Sequence, residues 1–245
     1  IVRYKTLENG DSLALHIFKP RNMQAGEKRP VIVYFFGGGW KLGTPIQFYR
    51  ECAYYASKGM VAVSVDYRIE YLHHSTPFDS FEDAKDAICW LRSHASDYQL
   101  DPDKIAVAGG SAGGHLAAAL GTIGSDEAVN YRPNLSVLYY PVVDMVSRGY
   151  GFPEIKRDFE KISPIHHVSE ATPSTLILLG TKDPIVSVET IRSYQDKLLQ
   201  KGVDCELHLF EGAGHPIFLY RKPLTEDYYK VRKLTDDFLK REGFL

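Results

Sequence analysis

The chain has 245 residues, of which 44% are hydrophobic and 24% charged, with a formal charge of −2. That length and apolar content allow one α/β domain over residues 1–245 with a full core, and the near-balanced charge gives no reason to expect a nucleic-acid partner, which would favour a basic face. No apolar run reaches the roughly 18 residues of a membrane span, and Cys52, Cys89 and Cys205 are too few and too scattered for a disulfide framework.

Ile1 is not a methionine, so an upstream segment is expected to be missing, whether cleaved as a signal peptide, trimmed away or disordered. Asn9-Gly10 separates Tyr4–Thr6 from Leu13–Lys19 and signals a tight antiparallel hairpin. The apolar run from Pro30 ends in Phe36-Gly37-Gly38-Gly39-Trp40, a strand running into a glycine turn. Thr44-Pro45 reads as the cap and first position of a helix through Ser57, and Met60 to Val65 as the next strand. Ser80 and Asp83 have capping-box spacing for a helix that reaches about His94. Lys104 to Ala108 is a short buried strand, Gly109-Gly110-Ser111-Ala112-Gly113-Gly114 a turn, and His115 to Leu120 a helix. Val137 to Tyr140 and Thr175 to Leu179 are further strands. Ile191, Tyr194 and Leu198 share one face of a helix over 187–200. Cys205 to Phe210 is the last strand, and Leu224 to Leu239 a closing amphipathic helix. Strands alternating with helices predict a parallel sheet covered on both faces.

The turn at Ser111 matches the G-x-S-x-G pattern of a nucleophile elbow, in which strand, sharp turn and helix lift a serine hydroxyl above the sheet. A glycine-rich phosphate loop is the alternative for the same six residues. Two later loops favour the elbow. Asp183 follows the strand that ends at Leu179, and His215 follows the strand that ends at Phe210. This is the order in which a carboxylate and a histidine complete a hydrolase triad. His215 would take the serine proton and Asp183 would fix the imidazole tautomer. Asp144, at the end of the preceding strand, competes for the acid role. Asp66 is expected to pair with a nearby arginine, and His208 to be structural. Neither His73-His74 nor His166-His167 has a carboxylate or cysteine at ligand spacing, so no metal site or cofactor is expected.

These segments, together with Ser64-Val65-Asp66-Tyr67-Arg68, Phe81 to Ala87 and Asp101 to Ile105, resemble the α/β-hydrolase fold along nearly the whole chain. Within that fold the chain resembles the hormone-sensitive-lipase-like esterases and their bacterial relatives among small carbohydrate esterases. The resemblance implies a mostly parallel eight-stranded sheet with helices on both faces. It also implies an oxyanion hole built from the N–H groups of Gly38, Gly39 and Ala112. Phe36 departs from the family, which usually has histidine there, so the loop must be braced by other means.

The segment from Met145 to Ser169 is short for a helical cap, which favours an open cleft. Trp40, Gly110, Ile217 and Phe218 are candidates for substrate contact, with ordinary core packing as the alternative for the three large side chains. The resemblance implies removal of acetyl or feruloyl groups from a small-molecule or carbohydrate ester, in a secreted or periplasmic setting. Arylformamidase-like amide hydrolysis, a prolyl-oligopeptidase-like peptidase and a non-catalytic binder on a hydrolase scaffold remain open.

Overall fold

The alternation of short apolar strands with amphipathic helices folds as that pattern predicts. The computed structural model describes residues 1–24, 26–124, 130–145, 158–220 and 224–245. Its strands are β1 (Val2–Thr6), β2 (Ser12–Phe18), β3 (Arg29–Phe35), β4 (Val61–Val65), β5 (Leu100–Gly110), β6 (Leu135–Tyr139), β7 (Ser174–Gly180) and β8 (Cys205–Phe210). They form one sheet in the order β1-β2-β4-β3-β5-β6-β7-β8. The hairpin β1–β2 and the pair β2–β4 are antiparallel, and every later pair is parallel. β4 and β6 are buried at every residue and β3 from Val31 onward, because helices cover both of their faces.

The helices are α1 (Tyr49–Ser57), α2 (Glu70–His73), α3 (Pro77–Ser93), α4 (Ala95–Tyr98), α5 (Ala112–Thr122), α6 (Phe159–Ile162), α7 (Val188–Gln200) and α8 (Glu226–Arg241). α5 is buried along its whole length, packing on β5 and β6 and against α3. On the other face α1 and α8 are tied by polar contacts. The Tyr228 hydroxyl donates to Glu51 Oε1 (2.5 Å), and Tyr54 donates to Asp236 Oδ2 (2.5 Å). Burial pushes the Glu51 carboxyl upward, opposed by the Tyr228 and Arg232 contacts.

Three local expectations are corrected. The stretch after Thr44 opens as a 3-10 turn over Pro45–Phe48 and turns α-helical only at Tyr49, without a side-chain bond from Thr44. The capping box of α3 lies four residues before the predicted one. Asp79 Oδ2 accepts both the N–H and the hydroxyl of Thr76, each at 2.8 Å, with Pro77 opening the helix. Asp83 is drawn instead into the fold, where its carboxylate binds Arg68 through Nε and Nη2, both at 2.8 Å, and Lys5 at 2.6 Å. Arg68 is therefore the arginine expected near Asp66, but its partners are Asp83 and Asp79. Burial raises the Asp66 carboxyl to about 6, with His73 opposing the shift. Of the segment from Met145 to Ser169, on which the open cleft was argued, residues 146–157 lie outside the described residues.

Candidate active site

All the groups singled out for chemistry hang from the carboxyl ends of parallel strands, where an open α/β sheet presents its crevice. Ser111 follows β5 directly, with φ 57° and ψ −119°, a conformation that a non-glycine residue holds only when its surroundings enforce it. The enforcement is steric and polar together. Its N–H donates to the Tyr139 carbonyl at 3.0 Å, and its own carbonyl accepts from His115 N–H, the first turn of α5. α5 lies so close to β3 and β5 that a Cβ on Gly113 would stand 2.0 Å from the Phe35 carbonyl oxygen of β3, and one on Gly109 of β5 would stand 2.3 Å from the Gly113 carbonyl oxygen. The glycines at these two positions are therefore what the turn requires.

The loop after β8 brings His215 onto this serine. Its Nε2 lies 2.8 Å from Ser111 Oγ, and its Nδ1 lies 2.7 Å from Asp183 Oδ2. The other carboxylate oxygen of Asp183 accepts the N–H groups of Ile185 (2.8 Å) and Val186 (2.9 Å). Burial works to raise the Asp183 carboxyl, but the His215 bond and these two N–H groups outweigh it and hold it below its ordinary range. A carboxylate fixed in charge and in place keeps a proton on His215 Nδ1 and leaves Nε2 as the acceptor facing the serine. With Asp183 on Nδ1, Asp144 stands outside this chain of hydrogen bonds. Tyr140, itself at φ 39°, sets its ring against the imidazole edge at 4.8 Å.

The glycine loop after β3 faces the same point. Gly38 (φ 143°) and Gly39 (φ 65°) take backbone conformations that side chains disfavour, and a Cβ on Gly38 would meet the Leu42 carbonyl oxygen at 1.9 Å. The Gly37 N–H donates to Gln47 Oε1 at 2.6 Å. Among the described residues the N–H groups of Gly38, Gly39 and Ala112 carry no such partner. They are donors without a protein acceptor, beside a hydrogen-bonded serine. Phe36 braces the loop by packing. Its fully buried ring stacks on Tyr67 (centroids 4.0 Å apart, planes at 14°), and the Tyr67 hydroxyl donates to the Phe36 carbonyl at 2.6 Å. Sequence reasoning missed Tyr67 and Gln47. Each acts from another segment, and no local pattern marks either one.

The remaining candidates separate. Trp40 is buried at φ 59°, its ring edge-on to His115 at 5.1 Å, and it lines a cavity beside the glycine loop. Ile217 follows the His215 turn and lines a smaller cavity with Pro216 and Thr225. Gly110 is pressed against the Tyr140 ring, whose hydroxyl oxygen would stand 2.6 Å from a Cβ there. Phe218 packs in the core between Tyr139 and Tyr228, so it supports the His215 loop from beneath. Among the described residues no group of three His, Cys, Asp or Glu side chains is placed to hold a metal ion, and no helix is long and apolar enough to cross a membrane.

In sequence and in fold the chain is similar to known esterases. The BD-FAE family model matches residues 15–151. Esterase LipC of Mycobacterium tuberculosis is 31% identical over 82% of this chain and 56% of its own length. An acetylxylan esterase of Xylanibacter ruminicola is 25% identical over 78% of this chain and 42% of its own. The chain thus spans about half the length of the curated relatives it matches. A thermophilic esterase of Thermogutta terrifontis, solved with propionate bound, is 37% identical with a TM-score of 0.93, covering all of this chain and 94% of that one. The same esterase has also been solved phosphorylated by paraoxon.

Proposed function

The chain belongs to the BD-FAE family of α/β-hydrolase esterases, and from that premise we propose that it is a serine carboxylic ester hydrolase working through Ser111, His215 and Asp183. The observation that carries this reading is the unbroken hydrogen-bond chain from Ser111 Oγ through both imidazole nitrogens to a carboxylate held in charge. His215 Nε2 accepts the serine proton as Oγ attacks the ester carbonyl, and Asp183 stabilises the imidazolium that forms. The carbonyl oxygen becomes an oxyanion, to which the N–H groups of Gly38, Gly39 and Ala112 donate. His215 then gives its proton to the departing alcohol. A water, deprotonated by the same imidazole, releases the acid from the acyl-enzyme.

The acyl group is short, acetyl in the first instance. Propionate in the Thermogutta esterase supports a small acyl pocket, and similarity to an acetylxylan esterase supports a carbohydrate alcohol. A feruloyl group is the other acyl class consistent with the family.

Hydrolysis of p-nitrophenyl acetate, butyrate and octanoate by wild type and Ser111→Ala tests the reading, with mass spectrometry after paraoxon. Turnover falling from acetate to octanoate is expected, together with a phosphoryl adduct on Ser111, both lost in the variant. Turnover that survives Ser111→Ala would overturn the assignment. Turnover of N-formyl amides in place of esters would move the protein to the amidase reading.

A further inference from the structure

We propose that Tyr140 is a positioning residue of the deacylation step, its ring keeping His215 aimed at the attacking water once Ser111 is acylated. The proposal rests on the reading of Ser111 as nucleophile and His215 as base. Three consecutive residues at the end of β6 hold the elbow, each by a different contact. Tyr139 ends the strand, and its carbonyl accepts the Ser111 N–H at 3.0 Å. The Tyr140 ring presses on Gly110, where a Cβ would stand 2.6 Å from the hydroxyl oxygen and 2.9 Å from Cζ. Pro141 lies against α5, its Cα 2.9 Å from where a Cβ on Gly114 would be. The same stretch reaches the other two loops of the site. Tyr140 N–H donates to the Leu178 carbonyl at 2.7 Å, on the strand β7 that leads to Asp183. The Tyr140 ring meets the His215 ring with centroids 4.8 Å apart and planes at 64°. Tyr140 therefore touches the strand or loop behind all three members of the triad.

That placement strains the backbone. Tyr140 sits at φ 39°, in the left-handed region where a bulky side chain is an outlier. Strain of this kind persists only where the surroundings enforce it, and it gathers at working sites. Here it secures a buried ring against the imidazole.

The chemistry decides when that ring matters. Before reaction the imidazole is held at both nitrogens, by Ser111 Oγ at 2.8 Å and by Asp183 Oδ2 at 2.7 Å. Acylation ends this arrangement. His215 Nε2 takes the serine proton, Oγ bonds to the acyl carbon, and the proton leaves with the alcohol. Oγ is then an ester oxygen with no proton to give. Of the two hydrogen bonds, the imidazole keeps only the one from Nδ1 to Asp183, and a single such bond is a pivot about which the ring can swing. Deacylation needs Nε2 fixed on a water. It accepts a proton from that water as the water oxygen attacks the acyl carbon, and returns the proton to Oγ as the Oγ–carbon bond breaks. The Tyr140 contact involves neither Oγ nor substrate, so it lasts through the acyl-enzyme and limits the swing. Tyr140 thus counts for more in deacylation than in acylation.

The test separates the two half-reactions of p-nitrophenyl acetate. kcat/KM, per site titrated with paraoxon, reports acylation, and rapid-quench mass spectrometry of the acetyl-enzyme reports its decay. Tyr140→Asn removes the ring and leaves a residue that tolerates positive φ. Its acetyl-enzyme is expected to decay roughly tenfold more slowly than that of wild type, with kcat/KM lowered by less than about threefold. Tyr140→Phe, which keeps the ring, is expected to restore the wild-type decay rate. A merely structural loss would lower acylation as much as deacylation. The crystal structure of paraoxon-treated wild type needs no variant, because its Ser111 Oγ carries a phosphoryl group where the acyl group would be. There the imidazole is expected still against the Tyr140 ring and bonded to Asp183. Decay slowed no more than acylation in Tyr140→Asn, slow decay persisting in Tyr140→Phe, or an imidazole turned away from Tyr140 in the treated protein overturns the positioning role and leaves the esterase reading standing. Absence of any adduct on Ser111 in wild type, from acetate or from paraoxon, overturns the esterase reading, and this role with it.

Discussion

The elbow at Ser111 and the glycine loop after β3 face the same point, yet only the loop depends on side chains from elsewhere for part of its hold. In the elbow, backbone is packed on backbone. Gly113 lies against the Phe35 carbonyl, and the serine conformation follows from the crossing of β5 and α5. In the loop, side chains from elsewhere add to the hold, the Tyr67 ring and hydroxyl and the Gln47 amide oxygen, beside backbone N–H donation from Glu70 to Trp40 and from Tyr71 to Lys41. A frame fixed by backbone contact tolerates no substitution, whereas one fixed by side chains can exchange its braces. That is why phenylalanine can stand at position 36, with stacking on Tyr67 in place of a polar bond.

The comparison breaks if an elbow glycine proves as tolerant as a loop brace. Gly113→Ala must displace a backbone oxygen 2.0 Å away, so complete loss of ester turnover and a fall in Tm of many degrees are expected from activity and thermal unfolding. Next in size is Asp183→Asn, expected to lower kcat by about 10⁴-fold with Tm nearly unchanged. A larger loss from Asp144→Asn would reassign the acid.

His115 joins the two regions, since it rides on α5 and meets Trp40. Its Nε2 lies 2.6 Å from the Ile162 carbonyl, and burial lowers its pKa to about 4, opposed by that bond. The unfolded chain takes up this proton near pH 6.5, the folded protein only near 4, so stability falls as pH drops through that window. The expected loss is about 3 kcal/mol between pH 7 and pH 4. It should be smaller in His115→Gln, as measured by urea unfolding at both pH values. The smallest effect belongs to a loop brace. Tyr67→Phe keeps the stack and removes the bond to the Phe36 carbonyl, at a cost of about 1–3 kcal/mol for an unpaired buried acceptor. A roughly tenfold lower kcat with KM unchanged is expected from steady-state kinetics.

The same contrast explains what the sequence made legible. The G-x-S-x-G turn, the strand before it, and the loops at Asp183 and His215 could be read because each is a local pattern at the end of a strand. The helix with Ile191, Tyr194 and Leu198 buried was equally readable from its period. The partner of Arg68 was not, since Asp66 and Asp83 both lie near it in the chain and only packing brings Asp83 inward. The start of α3 was misplaced because Ser80-x-x-Asp83 and Thr76-x-x-Asp79 carry the same signature, and Pro77 decides between them. Tyr67 and Gln47 left no local trace, since their partners are backbone groups on another segment.

β8 is the outermost strand of the sheet, paired on one side with β7, and four of its six residues are only partly buried. The imidazole rides on the turn at its end, while the serine sits on β5 within the sheet. Fraying of that margin would part His215 from Ser111 while the interior strands stay paired. On the reading of Ser111 and His215 as a catalytic pair, heat inactivation is expected to follow the hold of this edge strand, with activity lost while the spectroscopic fold is still whole.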